Sequence, residues 1–371
     1  MKIYILFGIT FACGFFGNFI SNANPLPYEA IFNFGDSTSD TGNAAFDHLN
    51  VMEKLIPYRS TYFKHPSGRQ SNGRLIIDFI AEAYGLPFLP AYKNITKIPD
   101  DIKKGVNFAY AGSTALDVKY FSGISGVSAP KESLDVQFDW FKKLKPDLCK
   151  SKEECDSFFK KSLFIVGEIG GNDIFYHLSK TIKELREKVP LMVESIKNTT
   201  NALIEEGAVE LVVPGNFPMG CNTDILSKKI SQKKEDYDEF GCLIAYNTLI
   251  EYFNEQLKKS IETIKQKHPQ AKIVYFDYYN DAKRLYQTPQ QYGFISDKVE
   301  ILKACCGGSG PYHHDEYWCG TPNTTVCSDP SKLINWDGPH FTEAAYKQIA
   351  KGLIEGPFAY PSLKPAPFKI A

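Results

Sequence analysis

The sequence predicts an α/β fold built on a mostly parallel sheet, and two observations carry that prediction. Short runs of β-type residues recur at Ala30 to Phe34, Ser162 to Val166, Val209 to Val213 and Lys272 to Phe276, each of a length that suits a buried strand. Between them lie stretches with apolar residues at three- and four-residue steps, the pattern of helices that cover a sheet. Strands that alternate with helices imply parallel neighbours and a sheet covered on both faces.

Taken in order, the first strand runs into Gly35-Asp36-Ser37-Thr38-Ser39-Asp40-Thr41-Gly42-Asn43, a set of small and polar residues that turns tightly. A helix is expected over about Leu134 to Leu144. Leu163-Phe164-Ile165-Val166 then leads into Gly167-Glu168-Ile169-Gly170-Gly171-Asn172-Asp173. A second helix spans about Leu191 to Glu206 and stops at Gly207, just before the strand at Val209. The clearest helix covers about Cys242 to Lys267, where Tyr246, Leu249, Ile250, Phe253, Leu257, Ile261 and Ile264 form one apolar stripe. A last helix runs from Glu343 to about Ile354, with Thr342 as its N-cap. There is no repeat, heptad pattern or long Gly/Ser or Pro-rich tract, so residues 24–371 read as a single domain.

With 371 residues, 43% of them apolar, the chain has material for a large core. A formal net charge of −1 gives no footprint for nucleic acid and no polybasic membrane anchor. Lys2, the apolar run from Ile3 to Ile20 and the small residues of Ser21-Asn22-Ala23 read as a signal peptide over 1–23, with a mature start near Asn24. The alternative, a membrane anchor, fits less well because Gly8, Thr10, Gly14, Gly17 and Asn18 interrupt the run.

Cys13 leaves with that segment, and Cys149, Cys155, Cys221, Cys242, Cys305, Cys306, Cys319 and Cys327 remain. An even set on an oxidising route implies four disulfides. Local grouping pairs Cys149 with Cys155 and Cys221 with Cys242, and leaves Cys305 and Cys306 to pair with Cys319 and Cys327 in either order. The sequons at Asn94, Asn198 and Asn323 are glycosylation acceptors on the same route.

In a parallel α/β sheet chemistry belongs in the loops at the carboxyl ends of strands. Ser37 lies in such a loop, although a turn of this kind also suits a helix N-cap. Asn172 lies in another, where an amide beside paired glycines can donate to a developing oxyanion. A further loop, Gly105 to Ala115, offers Gly112 as a backbone donor. In Asn335-Trp336-Asp337-Gly338-Pro339-His340, Gly338 and Pro339 argue against a helix and put Asp337 and His340 on one loop. A serine needs a base, and a histidine needs an acceptor that fixes its tautomer; Ser37, His340 and Asp337 supply that set.

The serine context is G-x-S-x-S rather than the G-x-S-x-G elbow of α/β-hydrolases. His313-His314-Asp315-Glu316 reads as a solvated loop rather than a metal site, and no zinc-ribbon spacing occurs among the cysteines.

The order of these blocks resembles the plant GDSL esterase/lipase family of SGNH hydrolases over nearly the whole mature chain. Asn72-Gly73-Arg74-Leu75-Ile76-Ile77-Asp78-Phe79, Val213 to Cys221 and Cys305-Cys306-Gly307-Gly308 are similar to that family too. Within it the chain is most similar to the group of acetylajmalan esterase and sinapine esterase. The resemblance implies a three-layer α/β/α sandwich with a mostly parallel five-stranded sheet. It implies Ser37, Asp337 and His340 as catalytic triad, and Ser37 N–H, Gly112 and Asn172 as oxyanion hole. It further implies hydrolysis of a small carboxylic ester, with acetyl or methyl esters of plant metabolites foremost, and no metal or organic cofactor. An acyltransferase with the same triad and a secreted binding protein without turnover are the alternative functions. Thr38 departs from the family pattern, which carries an apolar residue after the serine.

Overall fold

A computed structural model of the chain describes residues 26–48, 56–65, 67–95 and 101–370. The expected signal segment lies outside these residues. Five parallel strands form the body of the sheet: β1 (Ala30–Phe34), β2 (Gly105–Asn107), β3 (Ser162–Val166), β4 (Glu210–Pro214) and β5 (Lys272–Phe276). Their spatial order is β2-β1-β3-β4-β5, and a short antiparallel strand, Ala359–Tyr360, adds a sixth member beside β5. β1, β3 and β5 keep the bounds read from sequence, while β4 is shifted by one residue and ends on Pro214 opposite Phe276. β2 had no strand run of its own in the sequence because its three residues are too few to show a pattern.

The helix Leu134–Leu148 extends beyond the expected Leu144 and carries Pro146 within it. A second helix starts at Ile182, not Leu191, and passes through Pro190 to Glu205. Its true start is a capping box: Glu184 N donates to Thr181 Oγ1 at 3.3 Å, and Thr181 N donates to Glu184 Oε2 at 2.8 Å. Pro190 costs one backbone bond, and Leu185 and Val189 offset it by burying the same face as Met192, Val193 and Ile196. The long helix Ile244–Lys267 begins two positions after Cys242, which is tied to Cys221.

These three helices pack in succession and touch β1, β3 and β5 respectively. A second group, Ile76–Ala83, Glu343–Ile354 and Tyr278–Gln287, packs together in the same way. Against the sheet, Phe32, Phe34, Phe108, Phe141, Phe159 and Phe164 form a contiguous block of fully buried rings. Each such ring contributes roughly 1.5–3 kcal/mol on burial. The core therefore fixes the strand ends rigidly.

Four disulfides are present: Cys149–Cys155, Cys221–Cys242, Cys305–Cys327 and Cys306–Cys319. The last two resolve the order that the spacing left open. Among the described residues no helix is long and apolar enough to cross a membrane.

Candidate active site

The chain leaves β1, forms β2 on one side of it, and then crosses to β3 on the other. The carboxyl ends of β1 and β3 are thus the place where strand order reverses and a crevice opens. Ser37 follows β1 and Asn172 follows β3, so both face this crevice from opposite sides. Gly35 has φ 152°, and a Cβ there would stand 2.7 Å from Ser39 Oγ and 3.1 Å from Glu168 O. Only glycine lets the two loops approach so closely. Gln137, from the Leu134–Leu148 helix, clamps the same residue: Gly35 N donates to its Oε1 at 2.9 Å, and its Nε2 donates to Gly35 O at 2.8 Å.

Ser37 Oγ lies 2.8 Å from His340 Nε2, and His340 Nδ1 lies 2.8 and 2.9 Å from the two oxygens of Asp337. All three residues are buried. Asp337 and His340 share one non-helical loop, and His340 N also donates to Asp337 Oδ1 at 2.8 Å. Thr342 ends the loop as N-cap of Glu343–Ile354, its Oγ1 accepting from Ala345 N at 3.2 Å. Backbone bonds from Cys305 N to Asn335 O (3.0 Å) and from Cys306 N to Trp336 O (2.7 Å) attach the disulfide-linked segment to this loop.

Tyr58 is the residue that sequence reasoning missed. Its hydroxyl donates to Asp337 Oδ2 at 2.7 Å across 279 positions of chain, and no local pattern marks it. Burial by itself would raise the Asp337 carboxyl, but the His340 charge and the hydrogen bonds from His340 and Tyr58 outweigh it and hold the group below the usual carboxylate range. Asp337 is therefore ionised near neutral pH, with His340 Nδ1 within hydrogen-bonding distance of it and His340 Nε2 turned toward Ser37 Oγ.

Asn172 Nδ2 donates to Asp36 Oδ2 at 3.0 Å and to Ser113 O at 2.9 Å, which places the amide between the Ser37 turn and the Gly112 loop. Gly112 has φ 84°, and its carbonyl accepts from Tyr176 Oη at 3.0 Å. Asp173 ties the same loop down by accepting from Ala115 N at 2.8 Å and Leu116 N at 3.0 Å. Asp40 does so from the serine turn, accepting from Gly42 N, Asn43 N, Ala44 N and Ala111 N. The three loops read separately in the sequence thus meet at one point.

The cavity at this point is lined by the polar Ser37, Glu168 and Asn172 and by the aromatic Phe175, Phe217 and Phe341, among others. Burial raises the Asp36 carboxyl to about 6 and pushes Glu168 well above its ordinary value, with the neighbouring Asp36 charge adding to the latter. No Lys or Arg is among the described lining residues.

Of the remaining candidates, Asn94, Asn198 and Asn323 are all exposed. His313 and His314, read from sequence as part of a solvated loop, are half-buried. His313 Nδ1 and Nε2 are 2.7 Å from Ala304 O and 2.8 Å from Thr325 Oγ1, and His314 Nε2 stands 3.5 Å from Asp224 Oδ1. Long-range contacts of the disulfide segment, which spacing does not reveal, pull them in. Among the described residues no group of three or more His, Cys, Asp or Glu could hold a metal ion.

A family model described as GDSL-like lipase/acylhydrolase matches residues 31–353. A GDSL esterase/lipase of Arabidopsis thaliana is 45% identical over 381 aligned positions, covering 98% of this chain and 100% of the relative. The sinapine esterase of Brassica napus is 41% identical, over 90% of this chain and 87% of its own length. Among solved structures, phospholipase A1 from Streptomyces albidoflavus NA297 aligns at 14% identity and a TM-score of 0.30, over 69% of this chain and 82% of that one.

Proposed function

We propose that this chain, which belongs to the GDSL-like lipase/acylhydrolase family and is thereby a carboxylic ester hydrolase, works through Ser37, His340 and Asp337 by way of an acyl-enzyme. The observation that carries the reading is the unbroken line of hydrogen bonds from Ser37 Oγ, which lines the cavity, through His340 to Asp337. His340 Nε2 takes the Ser37 proton as the oxygen attacks the ester carbonyl, and the imidazolium returns that proton to the departing alcohol. Water then attacks the acyl-enzyme with His340 again as base. Asn172 Nδ2, Gly112 N–H and Ser37 N–H are the donors for the tetrahedral oxygen, each worth about 10² to 10³ in kcat at such sites.

The favoured substrates are small acetyl or methyl esters of plant specialised metabolites, with phenolic choline esters next. The aromatic wall of Phe175, Phe217 and Phe341 and the relative named sinapine esterase support this choice. Entry into the secretory pathway, with apoplast or vacuole as destination, is supported by the four disulfides.

The test is hydrolysis of p-nitrophenyl esters of increasing acyl length, then of a metabolite-ester panel, alongside fluorophosphonate labelling. The parent is expected to turn over short esters and to take the label, and Ser37→Ala to lose both. A folded parent that neither labels nor hydrolyses would favour the binding-protein alternative. Acyl transfer to an added alcohol, read by mass spectrometry, would favour the acyltransferase.

A further inference from the structure

We propose that Asp36 and Thr38 are positioning residues that hold the Asn172 amide in the oxyanion site, a reading that rests on Asn172 being an oxyanion donor. Asp36 Oδ1 accepts from Thr38 N at 2.9 Å and from Thr38 Oγ1 at 3.0 Å. Its other oxygen accepts from Asn172 Nδ2 at 3.0 Å. The carboxylate therefore bridges the serine turn to the Asn172 helix. It lies one residue before the nucleophile and is itself buried.

The second amide hydrogen of Asn172 goes to Ser113 O at 2.9 Å, one residue past Gly112. Both partners of the amide are acceptors, so a flipped amide would set its oxygen against a carboxylate and a carbonyl. The nitrogen is thereby locked where the three loops meet. A tetrahedral oxygen in the cavity shares one of these hydrogens in a three-centre bond, and the amide need not reorient to provide it.

Thr38 stands where the family pattern usually carries an apolar residue. Any residue at position 38 offers its backbone N–H to Asp36, but only a hydroxyl adds the second bond. Thr38 also lines the same cavity as the buried Glu168. An apolar side chain there leaves Asp36 Oδ1 with one donor in a site screened from water, which loosens the carboxylate and with it Asn172.

The experiment is a double-mutant cycle on p-nitrophenyl acetate hydrolysis with Thr38→Val, Asn172→Ala and the pair, with Thr38→Ser as the conservative control. Thr38→Val is expected to lower kcat by about three- to tenfold, the worth of one hydrogen bond, with KM unchanged, and Thr38→Ser to restore it. In the Asn172→Ala background the same Val substitution is expected to cost less than twofold, because the residue through which it acts is gone. A full additional loss in that background would make Thr38 a general support of the serine turn and overturn the inference, as would an unaltered kcat in Thr38→Val. An Asn172→Ala enzyme with parental kcat would instead remove the oxyanion role itself. Thr38→Ala substitutes for Val if the branched variant does not fold.

Discussion

Tyr58→Phe removes one oxygen and leaves the ring that meets Trp336 edge-on at 6.0 Å, so the perturbation is confined to a hydrogen bond. Asp337 receives three donors: Tyr58 Oη at 2.7 Å, His340 N at 2.8 Å, and His340 Nδ1 at 2.8 and 2.9 Å. A hydrogen bond to a buried charged group contributes about 1.5–3 kcal/mol, and about 2 kcal/mol is taken here. At roughly 2.1 cal/mol/K of unfolding entropy per residue, that loss lowers Tm by about 3 °C in a chain of this length. The carboxylate also holds His340 less firmly, and if about 1.4 kcal/mol of the loss is felt in the transition state kcat falls about tenfold. Asp337 has a lowered native pKa, so its contribution to stability is present above the unfolded value and is lost as pH falls through the native one. Without Tyr58 the native value rises, and the acid edge of stability moves to higher pH. Thermal melts from pH 3 to 8 and kcat on p-nitrophenyl acetate read all three effects. A Tm within 1 °C of the parent together with an unaltered kcat would refute the reasoning.

Stability should fall as pH rises from 5 to 8. Burial raises Asp36 to about 6 and Asp173 and Asp281 to about 7, with Glu168 well above its ordinary value. The folded chain thus keeps protons that the unfolded chain has released, and that stability is lost as pH passes through the native values. Burial raises Asp40 as well, and His177, which burial lowers, acts in the opposite sense but is one group against these five carboxyls; a Tm that is flat or rising over this interval would contradict the sum. Replacing Cys305 and Cys327 together by Ala should lower stability by about 2–4 kcal/mol. It should also lower kcat several-fold, since Cys305 N and Cys306 N hold the Asp337 loop through Asn335 O and Trp336 O. Loss of Tm with kcat intact would show that the bridge stabilises the fold without positioning the loop.

Much of the architecture was legible because local composition and tertiary burial ask for the same residues. Ala30–Phe34, Ser162–Val166 and Lys272–Phe276 are buried strands, and a run of apolar β-formers already says so. Packing overrode propensity in one helix: its expected start at Leu191 lies just after Pro190, but the Thr181 cap and the buried Leu185 and Val189 carry the helix through that proline from Ile182. β2 stayed hidden because three residues, however buried, carry no period.

By itself the sequence determined the fold class, the four loops that hold Ser37, Gly112, Asn172 and the Asp337–His340 pair, and two of the four disulfides. Each is written in residues near one another along the chain: a strand and its turn, a glycine pair and an asparagine, a Gly-Pro break. What only the tertiary structure decided joins distant segments. Tyr58 on Asp337, Gln137 on Gly35, the Asp36 bridge to Asn172 and the order of the last two disulfides each depend on which surfaces the sheet brings together. Such contacts leave no periodic trace, because a hydrogen bond between residues far apart in sequence constrains one side chain at each end and nothing in between.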